Sequence, residues 1–142
     1  MPKSYLSVKG RRTAREIFEP GGDQRMEKRY RDRARFYDES WARLSSDWVV
    51  NGMYSRNVLA SGPRELCAVA ALTALGHHEE LRDHIRMALR TNKNAAQVRE
   101  AIIQMAVYAG MPAALSGMRV YEDVLREPEF RRRARGRARR NV

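Results

Sequence analysis

The chain has 142 residues and one cysteine, Cys67, a length suited to one compact core and a composition that excludes an internal disulfide or a thiolate metal cage. Its 28 basic and 17 acidic side chains leave a net charge of +11, concentrated at the ends: residues 1–43 carry 12 and 7, residues 44–125 carry 8 and 8, and residues 126–142 carry 8 and 2. No apolar run approaches the roughly 20 residues that span a bilayer and no signal-peptide core opens the chain, so a soluble cytoplasmic protein with no membrane association is expected. Residues 1–23 read as a basic N-terminal arm ending in Pro20-Gly21-Gly22, a strong turn signal. Met26, Tyr30, Ala34, Tyr37, Trp41, Leu44 and Trp48 then recur at steps of three and four, which predicts one long amphipathic helix broken at Asn51-Gly52. Residues 53–62 read as loop.

Pro63 suits the first turn of a helix running through Leu66, Val69, Ala70 and Thr73 to a stop at Gly76. The next helix carries Leu81, His84, Ile85, Ala88 and Leu89 on one face. Asn94 and Gln97 have the spacing of a capping box opening a third helix through Val98, Ile102, Met105 and Ala109. Gly110 ends it and Pro112 starts a fourth, with Ala114, Met118, Tyr121 and Leu125 facing inward. No segment alternates with period two, so the fold class is all-α: a helical domain over residues 24–125 and an arginine-rich tail over 126–142. Seven arginines between Arg131 and Arg140 repel one another, which predicts disorder unless a polyanion neutralises them.

Two residues stand out chemically. Counted at about 1.5 Å per residue, Glu65 and His84 lie about 16 and 12 Å from the turn at Gly76, close enough to meet in an antiparallel hairpin. A carboxylate that holds an imidazole fixes its tautomer and supports its protonated form, which makes a proton-transfer pair. A buried histidine satisfied by Glu65 for purely structural reasons fits the same pattern. His77, Glu80 and His84 share one helix face, a spacing that suits a metal and equally a polar helix start; no metal is expected. Arg56 can clamp a carboxylate bidentately or serve as a solvated loop charge. Cys67 is expected on the apolar side of its helix as a small packed hydrophobe.

These strings resemble a known family. Arg64-Glu65-Leu66, Ala70-Ala71-Leu72-Thr73-Ala74-Leu75-Gly76, Glu80-Leu81 and His84-Ile85 are similar to the carboxymuconolactone decarboxylase family. So is the run from Glu100 to Ala114, with Tyr108-Ala109-Gly110-Met111-Pro112-Ala113-Ala114 as its most specific part, and Tyr54-Ser55-Arg56 upstream. The resemblance spans residues 41–125. It implies the all-α fold of alkylhydroperoxidase D, a core helix hairpin, and a homo-oligomer, a trimer or hexamer. An apolar load of two Trp, six Tyr and seven Met points the same way.

The peroxidase branch of that fold carries two cysteines three apart, a histidine four after the second, and a glutamate nineteen before the histidine. Glu65 and His84 keep the nineteen-residue separation, but His77 and Glu80 occupy the cysteine positions, so thiol peroxidase activity is not expected. The implied function is decarboxylation of a carboxylated unsaturated lactone or related small acid, with no cofactor. In that reading His84 is the acid, Glu65 orients it, and Arg56, His77, Glu80 and Tyr108 bind substrate. An isomerase or cyclase acting on an unsaturated acid or lactone would use the same pair. A non-enzymatic, polyanion-binding protein is the third reading. For nucleic acid, only non-specific contact through the arginine tail is expected.

Overall fold

The computed structural model describes residues 4–18, 21–56, 58–92 and 94–131. Among them every regular element is helical: α1 (Val8–Phe18), α2 (Gly22–Phe36), α3 (Glu39–Ser46), a π-helix (Asp47–Tyr54), α4 (Ser61–Leu75), α5 (His78–Asn92), α6 (Ala95–Ile103), α7 (Met105–Tyr108) and α8 (Met111–Arg126). None of these helices is long and apolar enough to cross a membrane. Contacts divide the chain after Ser61 into two units, each with its own apolar cluster, where the sequence suggested a single core.

The first unit begins where an arm was expected. Ser7 caps α1, its Oγ accepting from Gly10 N at 3.0 Å. Gly10, Thr13, Ala14 and Ile17 face inward, a helical stripe made mostly of residues that carry no apolar signal. Tyr5 and Leu6 are also buried, and their amide N–H groups donate to the Glu27 carboxylate at 3.1 and 3.2 Å. Gly22 opens α2 against α1, where a Cβ would stand 2.3 Å from the Ala14 carbonyl oxygen. The long helix read from residues 26–48 is broken: Asp38 Oδ1 accepts from Trp41 N at 2.7 Å and caps α3. Tyr37, Trp41, Leu44 and Trp48 are accordingly exposed.

The chain does not break at Asn51-Gly52. Asn51 instead ties the π-helix to the start of α1, accepting from Ser7 N at 2.8 Å and donating to Tyr5 O at 2.8 Å. A Cβ at position 52 would lie 2.7 Å from the Asp47 carbonyl oxygen. Glycine therefore relieves crowding inside the wide helical turn.

The second unit follows the sequence reading more closely. Pro63 lies in the first turn of α4, and Gly76, at φ +73°, ends the helix. Gly76 N donates to Thr73 O at 3.3 Å and His77 N to Leu72 O at 3.2 Å, the paired bonds of a Schellman stop. Asn94 caps α6, its Oδ1 accepting from Ala96 N at 3.1 Å. The third predicted helix is interrupted at Gln104, which separates α6 from α7. α8 packs against α5, α6 and α7. Val69, Leu81, Ile85, Val98, Ile102 and Val124 are fully buried around it.

Gly117 is what lets α8 come so close: a Cβ there would meet Thr73 Cγ2 at 2.8 Å and Ile102 Cγ2 at 2.9 Å. Packing continues past the expected domain end at residue 125. Arg86 donates to Glu127 at 2.7 Å and Arg90 to Glu129 at 2.7 Å, and Phe130 is fully buried beneath Arg90. Residues 132–142, most of the arginine-rich tail whose disorder the sequence predicts, lie outside the described residues.

Candidate active site

On α4 the inward positions are Gly62, Glu65, Val69 and Thr73, one per turn. Glu65 therefore sits on the core-facing stripe and is fully buried. On α5 the buried stripe runs through Leu81, Ile85, Ala88 and Leu89. His84 lies at the edge of that stripe, and its side chain keeps 24% of its surface exposed. Two ties set how the helices meet. The Schellman stop fixes the near ends at Gly76, and at the far ends Asn92 Nδ2 donates to Gly62 O at 3.0 Å. The helices run antiparallel, and Glu65 Oε2 lies 2.8 Å from His84 Nδ1.

This contact dictates the state of the ring. With Glu65 as carboxylate, Nδ1 carries the proton and donates it, which leaves Nε2 as the atom for proton exchange. The second carboxylate oxygen, Oε1, is buried without a hydrogen-bond partner among the described residues. The whole carboxylate thus depends on one bond from His84, an expensive arrangement for a buried acid.

The structure brings together only two of the sequence candidates. His77 precedes α5 and Glu80 lies in its first turn; both are exposed, and neither bonds to the Glu65–His84 pair. Tyr108 ends α7 and is 74% exposed. Arg56 belongs to the first unit, two residues past the π-helix, and its backbone N–H donates to Met53 O at 3.3 Å. Cys67 is exposed, which corrects its assignment to the packed side. Two residues along a helix turn the chain by about 200°, so Cys67 points away from the face that buries Glu65. Among the described residues no three His, Cys, Asp or Glu side chains converge as a metal site. The sequence reading missed the Asn92–Gly62 clamp, whose one visible trace is the glycine before Pro63.

Residues 49–123 match the Carboxymuconolactone decarboxylase family. The chain belongs to the carboxymuconolactone decarboxylase family. The match runs from the π-helix into α8 and includes Arg56, Glu65, His77, Glu80, His84 and Tyr108. A 4-carboxymuconolactone decarboxylase of Acinetobacter baylyi is 29% identical over 91 residues, covering 64% of this chain and 68% of that protein. Membership is consistent with a carbon–carbon lyase at the level of the family, while α1, α2 and α3 lie outside the matched region.

Proposed function

We propose that this member of the family is a cofactor-independent decarboxylase of a carboxylated unsaturated lactone or related small acid. The observation that carries the reading is the buried Glu65 holding Nδ1 of a partly exposed His84 at 2.8 Å. Loss of CO₂ from a carbon conjugated to the lactone sends the bonding pair into the ring system as an extended enolate. That carbanion equivalent needs a proton at carbon. Imidazolium Nε2 of His84 delivers it and becomes neutral, then takes a proton from water for the next turnover. Glu65 accepts from Nδ1 and holds the ring with Nε2 toward the substrate. His77, Glu80 and Tyr108 contact the remainder of the substrate. We further propose a homo-oligomer, a trimer or hexamer.

Incubating the protein with 4-carboxymuconolactone tests the reaction directly. Stoichiometric CO₂ with loss of the substrate carboxylate is expected. A double-bond shift without CO₂ would replace the decarboxylase with an isomerase on the same pair. Light scattering is expected to give a particle well above the 16.4 kDa chain.

A further inference from the structure

We propose that the outer face of α2, with the aromatic pair at its C-terminal end, is a docking surface for single-stranded nucleic acid. The inference is independent of the decarboxylase reading. It starts from how α2 distributes its charges. Two of its three carboxylates point inward: Asp23 is buried and bound by Arg15 at 2.8 Å, and Glu27 is buried on the Tyr5–Leu6 backbone. Only Asp32 remains outside, taking Lys28 Nζ at 2.6 Å. All six cations of the helix, Arg25, Lys28, Arg29, Arg31, Arg33 and Arg35, keep at least partial exposure. Two of the three negative charges of α2 are used in packing, and its positive charges stay at the surface.

Arg25, Lys28, Arg29 and Arg33 share a shallow hollow of about 520 Å³ with Phe36, Tyr37 and one carboxylate, Asp32, so four cations face a single acid there. Those two rings are 80% and 65% exposed. They meet edge to face, centroids 5.0 Å apart at 82°, so one ring offers its face while the other walls it. A cationic track ending in exposed aromatic rings is the chemistry that binds single strands, phosphates to guanidinium and bases to rings.

Other polyanions fit less well. The apolar stripe of α2, Met26, Tyr30 and Ala34, packs into the unit's own cluster, so the cationic helix has no apolar stripe of its own to lay into a lipid surface. A duplex keeps its bases stacked on one another and would leave Phe36 and Tyr37 without partners. An acidic peptide would meet the cations but has no obligatory flat ring to place on the aromatic pair.

The test is fluorescence anisotropy of a fluorescein-labelled oligothymidine strand titrated with the full chain. Parallel titrations use the matching duplex and vesicles of anionic phospholipid. Phe36→Ala with Tyr37→Ala removes exposed rings only, so an unchanged melting temperature is expected. Single-strand affinity should fall about fivefold or more, since each base–ring stack contributes about 1–3 kcal/mol, while duplex affinity stays as it was. Arg25→Gln with Arg29→Gln should lower the salt slope by about 0.7 for each phosphate that is no longer neutralised.

Replacing the six arginines between Arg132 and Arg140 by glutamine should preserve the preference for the single strand. The proposal is overturned if that tail variant loses the preference, or if the folded Phe36→Ala/Tyr37→Ala protein binds as the parent does. Equal affinity for duplex and single strand, or binding to vesicles alone, overturns it as well.

Discussion

His84 and Glu65 make a pair whose two halves should respond unequally to substitution. His84→Ala strands a fully buried carboxylate whose Oε1 already lacks a partner among the described residues. Removing one member of a buried ion pair costs about 3–5 kcal/mol. The histidine side chain is 24% exposed, so water can enter the vacated space, and the lower end, about 3 kcal/mol, is the expectation. Glu65→Gln keeps an oxygen to accept from Nδ1–H, exchanging a charge-assisted bond for a neutral one at about 1 kcal/mol. Glu65→Met with His84→Leu removes both polar groups and should recover most of the loss. Turnover should follow a different order. His84→Gln should slow CO₂ release about a hundredfold or more, near 2.7 kcal/mol of barrier, and Glu65→Gln should slow it less. The double variant should be stable and inactive. Urea unfolding and CO₂ release measured on the same preparations separate stability from catalysis. A His84→Gln protein that is destabilised yet fully active per folded molecule would refute the catalytic role. Equal destabilisation by His84→Ala and Glu65→Gln would refute the dependence of Glu65 on its single bond.

Gly117→Ala forces a methyl group into contact with Thr73 and Ile102 at 2.8 and 2.9 Å; a loss of about 1–3 kcal/mol in urea unfolding is expected, and an unchanged midpoint would show that α8 is free to shift. Asp23 is held below the usual carboxylate range, first by the hydrogen bond from Arg15. Its contribution is therefore complete above the unfolded value of about 3.9 and lost as pH falls through the lower folded value, so Asp23→Asn should flatten the acid limb of melting temperature against pH. Cys67 is exposed, so Cys67→Ala should leave turnover and melting temperature unchanged and the native thiol should react readily with a disulfide reagent. A folded Cys67→Ala protein without activity would refute this and give the thiol a part in the reaction.

The fold was legible where apolar side chains and stop signals agreed. α5 shows its stripe at Leu81, Ile85, Ala88 and Leu89, and Gly76 and Asn94 mark helix ends with side chains or backbone angles suited to nothing else nearby. α1 was hidden because three of its four inward residues, Gly10, Thr13 and Ala14, are small or polar. The break in the long stripe was hidden for the opposite reason. Its apolar residues continue in helical step through Trp41 and Trp48, and only Asp38 reveals that one helix stops and another is capped there. The π-helix has no composition of its own. Its trace is a glycine placed where Asp47 O crowds position 52.

The site divides along the same line between local and non-local information. The Glu65–His84 contact follows from counting, because the Schellman stop at Gly76 and a short antiparallel hairpin determine which turns of α4 and α5 stand side by side. Burial does not follow from that count, since it depends on what α6 and α8 bring against the hairpin. The sequence therefore foresaw the bond and not the stranded Oε1, which is what makes the pair costly to keep. Cys67 shows the reverse error: two residues from Glu65 in sequence, it lies on the other side of the same helix. A motif read along the chain orders residues by number, whereas a helix sorts them by angle. Chemistry needing a thiolate beside the imidazole would have to use positions 77 or 80 on the His84 side, where this chain carries His77 and Glu80. Proton transfer needs no thiolate, and the two residues proposed for it are the ones the hairpin brings together.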